Sequence, residues 1–266
     1  MTSIQQFSGR GKSPKDLMGL NSEEVNTILN TPCLIIRDLG FDLANIDRCK
    51  EQYLAFCKQL GTPIPHNHDP NSLVWDIRAV KNSNSIYQTH SELSAEADLH
   101  TDSAFSDNPE DYFCLLVLRK AMCKGGASIL LSAEQFVSEL RKEEKGARTE
   151  EILRTKPFPF SVPSIFAKNA EGRPEYSTGL ILKDEHIRFR SDSIENAMQT
   201  FPSSVDAEQR EAFAVAKRIL ADTPLTETLM LEPGEVIIID NKKILHGRQS
   251  FEDENRHLLR IRLQNT

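Results

Sequence analysis

No stretch of this chain is apolar for anything near the ~20 residues that cross a bilayer, which excludes a helical membrane span. Positive charge is also scarce: 32 Lys and Arg stand against 39 Asp and Glu, a formal net charge of −7, leaving no basic field to hold nucleic acid or anionic lipid. The five cysteines, Cys33, Cys49, Cys57, Cys114 and Cys123, are odd in number and form no C-x-x-C pair. Neither a disulfide framework nor a zinc ribbon is expected, and reduced thiols in a core are the simplest use. The single tryptophan, Trp75, is expected to pack rather than to line a pocket. The opening fifteen residues are polar and lack the apolar run of a secretory signal, so a cytoplasmic protein is expected. The class of partner left standing is a small molecule.

At 266 residues, 39% hydrophobic and 27% charged, the chain has enough material for a sizeable core without staples, and no internal repeat divides it. One domain over 1–266, with a loose, polar leader over about 1–20, is the simplest partition. Asn21 and Glu24 have capping-box spacing ahead of Val25, Ile28 and Leu29, predicting a short helix. Cys33 to Arg37 reads as a strand. From Ile46 the residues Cys49, Tyr53, Phe56, Cys57 and Leu60 recur at helical spacing until Gly61-Thr62-Pro63. Beyond Ser72 short apolar runs alternate with turns: Leu73 to Ile77, Tyr112 to Leu118, Ser128 to Leu131, Ile187 to Phe189, Val236 to Ile239 and Leu259 to Leu263. One more helix follows Asp206, which caps with Gln209 ahead of the stripe Ala212, Phe213, Ala216, Ile219 and Leu220. The expected fold class is α+β, with a jelly-roll core and flanking helices and insertions.

Chemistry concentrates in three places. Leu99-His100-Thr101-Asp102 sets a histidine and an acid two apart, on one face if the segment is extended. Two imidazoles and one carboxylate on one face of an octahedron suit a divalent metal that keeps open positions, and His246 is the best third ligand. On residues alone, Asp102 capping a turn and two satisfied histidines remain an open alternative. Downstream, Arg256, Arg260 and Arg262 lie on or beside an apolar strand, where a guanidinium is expensive unless paired and its planar fork suits a carboxylate. An edge strand with solvated charges is the other reading. Upstream, Gly125-Gly126-Ala127-Ser128 combines close backbone approach with a hydroxyl donor. Glu92 and Asp192 are loop acids that suit an α-amino group and a basic side chain, or simply face solvent. His66, His68 and His90 read as surface histidines.

From about Trp75 to Arg260, and densely over Leu99 to Leu131, this order of residues resembles the iron(II)/2-oxoglutarate-dependent oxygenases of the taurine dioxygenase and clavaminate synthase type. The resemblance implies a double-stranded β-helix core and makes His100, Asp102 and His246 the ligands of Fe(II). It makes Arg256, helped by Ser128, the clamp for the distal carboxylate of 2-oxoglutarate, and Arg260 the partner of an acid group on the substrate. O2 would be the co-oxidant, and the activity hydroxylation of an unactivated C–H bond in a small anionic, amino-acid-like molecule. Amino-acid hydroxylases of this type usually carry Glu where this chain has Asp102, and many members have Thr where it has Ser128. Halogenating relatives lack the carboxylate, so Asp102 argues against halogenation. A desaturase of the same type, or a jelly-roll protein that binds without turnover, are the alternatives. A cupin-like enzyme would call for more histidine and no late arginine pair.

Overall fold

A computed structural model of the chain describes residues 4–8, 19–65, 71–78, 94–123, 125–163 and 175–265. Two sheets organise it. The larger holds β1 (Gln5–Ser8), β2 (Cys33–Arg37), β3 (Thr62–Ile64), β4 (Trp75–Ile77), β6 (Tyr112–Arg119), β13 (Val236–Asp240) and β15 (His257–Gln264). Its order is β1-β2-β13-β6-β15-β3, with β4 also paired to β15. The smaller holds β5 (Ala97–His100), β7 (Ser128–Ser132), β12 (Glu227–Leu229) and β14 (Ile244–Arg248), in the order β12-β7-β14-β5. Two hairpins stand apart, β8 (Phe158–Val162) with β9 (Glu175–Gly179) and β10 (Leu182–Lys183) with β11 (His186–Ile187). The helices are α1 (Ser22–Leu29), α2 (Ile46–Cys57), α3 (Ala133–Leu140), α4 (Gly146–Thr155), α5 (Ser191–Thr200) and α6 (Ala207–Asp222).

The period of two along each strand decides what faces what. In β15, Leu259, Ile261 and Leu263 pack outward against Cys49, Tyr53, Phe56 and Cys57 of α2. Leu258 faces inward, against Phe113 and Val117 of β6, Ile237 and Ile239 of β13, and Leu130 and Ile244 of the smaller sheet. Arg260 and Arg262, in phase with Leu258, therefore point to the space between the sheets. The outer face of the smaller sheet, with Leu99, Leu131 and Leu245, packs under α3 to α6. Each such Leu, Ile or Phe contributes roughly 1.5–3 kcal/mol on burial, so the two outer layers and the apolar cluster between the sheets together hold the fold, with the polar groups beside that inner cluster.

The capped helices at Ser22 and Ala207 form with both reciprocal bonds of the capping box. Three helices, α3, α4 and α5, occupy a region whose short apolar runs suggested strands. Only α3 carried a start signal, Ser132 with Gln135, ahead of the stripe Ala133, Phe136, Val137 and Leu140. The strand expected at Ile187 to Phe189 reduces to the two residues of β11. The polar leader is not wholly loose: Gln5–Ser8 lies parallel to β2 at the sheet edge, where backbone hydrogen bonds suffice and side-chain polarity is no obstacle.

Candidate metal centre

β5 ends at His100, and Thr101 is held by Phe189: its N–H donates to the Phe189 carbonyl (2.7 Å) while its hydroxyl accepts from the Phe189 N–H (3.1 Å). The Asp102 N–H donates to Asn241 Oδ1 (2.8 Å), and Asn241 Nδ2 donates to the carbonyls of Asp102 (3.2 Å) and Glu110 (3.1 Å). The chain then turns at Ser103, whose φ of 49° lies in the left-handed region at a cost of about 1 kcal/mol. Asp102 is thus fixed by its backbone, which leaves its carboxylate to face other side chains.

His246 reaches the same place from 146 residues away because β14 and β5 are antiparallel neighbours with His246 directly opposite His100. It belongs to a strand, not to a loop. His100 Nδ1 donates to the Asp98 carbonyl (2.7 Å), which fixes the tautomer and leaves Nε2 as the lone-pair nitrogen. That Nε2 is 3.7 Å from Asp102 Oδ1, and His246 Nε2 is 3.4 Å from Asp102 Oδ2. Ligand atoms of all three residues lie within 4.8 Å of one another. Mutually cis donors about 2.1 Å from one ion stand about 3 Å apart, so a small closing motion would seat a divalent metal.

The electrostatics agree with that use. The His246 ring packs against Phe113 and His100, each 4.4 Å away by centroid. Burial, reinforced by the Arg190 cation, pushes its pKa down to about 3, so it is a neutral imidazole across the physiological range, the form that can ligate a metal. Asp102 Oδ2 is buried and accepts no hydrogen bond, while the Arg260 guanidinium lies directly against it. Burial, then Arg262, push the Arg260 pKa down to about 9. Arg260 also covers the Phe113 ring at 4.8 Å.

A second cluster surrounds Arg256, just ahead of β15. Ser128, Gly126, Val117 and Leu258 line one cavity with it. Gly126 has φ +75°, and a Cβ there would sit 3.4 Å from Arg256 Nε; at Gly125, φ +132°, a Cβ would be 2.1 Å from the Ser250 carbonyl oxygen. The glycine pair is what lets the backbone pass beside the guanidinium. Arg256 is buried, stacks at 5.1 Å on Phe251, which Arg248 also covers at 4.9 Å, and meets no carboxylate among the described residues. Burial and Arg248 push its pKa down to about 10.

Asp192 stands on the first turn of α5 and pairs with Arg190 (2.9 Å), its side chain half exposed. Glu92, His66, His68 and His90 lie outside the described residues. Three site residues had no readable signal in sequence. Asn241 lies in a turn, Arg190 just ahead of α5, and Glu110 in a loop after Pro109, where its side chain is nonetheless 2% exposed beside Arg260 and Arg262.

Residues 3–262 match the family model described as Taurine catabolism dioxygenase TauD, TfdA family, and the chain belongs to that family. It is 26% identical over 185 residues to the dioxygenase str8 of Strobilurus tenacellus, a match covering 68% of this chain and 40% of that protein's length. Asparagine oxygenase, solved with Fe(II), (2S,3S)-3-hydroxyasparagine and succinate, is similar in fold at a TM-score of 0.70, 17% identity and coverage of 98% and 93% of the two chains. The non-heme iron oxygenase OrfP, solved with Fe and alpha-ketoglutaric acid, is similar at 0.69, with 16% identity and coverage of 99% and 94%.

Proposed function

We propose that this protein is an iron(II)- and 2-oxoglutarate-dependent dioxygenase that hydroxylates an unactivated C–H bond of a small anionic substrate, a free amino acid or a close derivative. One observation carries the reading: two imidazoles and a carboxylate, distant in sequence, converge within 4.8 Å, the carboxylate facing an Nε2 with each oxygen. The facing sheets are read as a jelly roll within a single domain, and the polar leader as an appendage to it. The absence of a long apolar helix among the described residues and the acidic charge balance favour a cytoplasmic protein acting on small molecules.

In this reading His100, Asp102 and His246 hold the metal by one face and leave the other open. Iron(II) with 2-oxoglutarate and O2 supplies the oxidising chemistry for a strong C–H bond. The chain's own part is placement. Arg256 and the Ser128 hydroxyl receive the distal carboxylate of 2-oxoglutarate, and the Phe251 ring and the glycine turn keep that guanidinium from moving. Arg260 receives an acid group of the substrate close to Asp102. His246 stays neutral, and Phe113 shields it from water. Asp192 is already engaged by Arg190, so a basic substrate side chain would have to displace that partner. Glu92 keeps the role of a second contact for an amino group.

The test is direct. Apoprotein is supplied with iron(II), 2-oxoglutarate and ascorbate under air, and succinate is measured against a panel of free amino acids. Succinate that rises with one compound supports the reading. No 2-oxoglutarate consumption with any compound, together with failure of the protein to bind iron(II), sinks it and favours binding without turnover.

A further inference from the structure

Glu110 is the most deeply buried acid among the described residues, 1% exposed. Asn241 pins its backbone beside that of Asp102. Its carboxylate is not used as a structural carboxylate is. Asp111, the next residue, accepts from Gln264 Nε2 (2.6 Å), the Asn265 N–H (2.7 Å) and Lys242. Glu110 Oε1 accepts nothing: Arg260 Nη2 at 3.9 Å and Arg262 Nη1 at 3.7 Å attract it but stand outside hydrogen-bond range. Arg260 Nε is likewise buried without a partner. A buried carboxylate oxygen and a buried guanidinium N–H, neither hydrogen-bonded, therefore lie side by side, while the same guanidinium rests through Nη2 on Asp102 Oδ2. Leaving such groups dry and unbonded is expensive unless a ligand completes them.

We infer that Glu110 and Arg260 form a clamp for a zwitterion, Glu110 taking the α-ammonium and Arg260 the α-carboxylate of a free α-amino acid. The two groups of an α-amino acid are one carbon apart, which matches two side chains 3.9 Å from each other. A carboxylate alone would leave Glu110 unmet and repelled, and an N-acylated compound would bring it an amide too bulky and uncharged to compensate. Glu110 is thus a specificity-determining residue, one that selects a free amino group. The inference rests on the oxygenase reading only for the status of the bound amino acid as substrate.

The experiment is calorimetric titration of the protein loaded with iron(II) and 2-oxoglutarate in the absence of air. The probes are the standard L-α-amino acids and, for each that binds, its α-hydroxy acid and N-acetyl counterparts. The parent is expected to bind at least one free amino acid roughly tenfold to a hundredfold more tightly than its two counterparts, the range of a charge-assisted hydrogen bond. Glu110→Gln should lose about that factor for the amino acid and no longer discriminate, with Glu110→Asp, which keeps the charge, in between. Should Glu110→Gln fail to fold, the Glu110→Asp titration and the parent's discrimination decide. Equal binding of amino and hydroxy acid by the parent, binding of no free amino acid, or intact discrimination in Glu110→Gln overturns the clamp. Succinate release, followed separately, distinguishes the two claims. A parent that discriminates as expected without consuming 2-oxoglutarate retains the clamp and loses the oxygenase reading. Consumption driven as well by a compound with a blocked or missing amine does the reverse.

Discussion

Replacing Arg256 by Met should raise the stability of the unliganded protein while weakening its hold on 2-oxoglutarate. The guanidinium is 7% exposed and pairs with no carboxylate among the described residues, and burial followed by the Arg248 charge pushes its pKa down to about 10. At about 1.36 kcal/mol per pH unit, the gap from the ordinary 12.5 corresponds to roughly 3 kcal/mol of destabilisation. The sign follows from the direction of the shift: a base whose folded pKa is depressed destabilises the fold in full below that value. The penalty fades only as pH rises from about 10 towards the unfolded value, so it is constant in any physiological buffer. Methionine keeps much of the stem and removes the charge, losing about 1 kcal/mol of contact with Phe251. A net gain of about 2 kcal/mol corresponds to a melting temperature about 4 °C higher for a chain of this size. Removing a charge-assisted clamp of about 2.7 kcal/mol weakens 2-oxoglutarate about a hundredfold. Thermal melts of parent and Arg256→Met with and without 2-oxoglutarate and manganese(II) read both effects. A variant that melts below the parent and still gains the parent's full shift from 2-oxoglutarate would show that Arg256 is structural, and the reasoning would be wrong.

Two further outcomes are expected. Asp102→Ala removes the carboxylate between the two imidazoles and strands Arg260 with Glu110 alone, so it should lose both iron(II) and turnover and about 3 kcal/mol of stability; an iron-loaded, active variant, by ferrous chromophore and succinate assay, refutes the ligand assignment. His257, at the start of β15, has Nε2 2.7 Å from Asp76 Oδ1 and accepts at Nδ1 from Arg78 (2.9 Å), while Lys50 binds the other Asp76 oxygen (2.5 Å). Burial is the main reason its pKa is below the ordinary value, with Arg78 and Lys50 adding and Asp76 opposing. The unfolded chain therefore takes this proton first, and stability should fall as pH drops below about 6.5 until the folded value is reached. Urea unfolding at stepped pH should show that limb in the parent and a flatter one in His257→Gln; equal slopes would dismiss the effect.

What sequence showed and what it hid divide along a physical line. Capping boxes at Asn21 and Asp206, the α2 stripe and the alternation of Leu259 to Leu263 are local consequences of helix and strand periods, and they were legible. His100 and Asp102 were legible as a pair because two residues on an extended chain share a side. Their approach to His246 was not written locally: it depends on β14 lying beside β5, a pairing that only the assembled sheet decides. The helices α4 and α5 hide behind charged faces, with apolar residues too sparse to separate from strand runs. Glu110 was least legible, because burial, not residue type, makes it different from any loop acid.

That burial also separates the groups that hold the fold from those that await a ligand. Arg188 is half-buried, yet its guanidinium is used, with Nε on the Ala104 carbonyl (2.5 Å) and Nη2 on Ser177 (3.0 Å). Asp111 is used in the same way. By contrast Glu110 Oε1 and Arg260 Nε are buried without a hydrogen bond, and Asp102 Oδ2 meets only the Arg260 guanidinium. Native interiors leave few such atoms, because each forfeits about 1–3 kcal/mol. Their gathering beside the two imidazoles, from a turn, a loop and β15, is not explained by packing, since the apolar clusters on either side of the sheets are complete without them. A metal and a charged small molecule would meet these needs together, and the stability forgone by the unliganded protein would return as binding energy, which is why melting temperature should rise with ligand more steeply here than in a site whose polar groups satisfy one another.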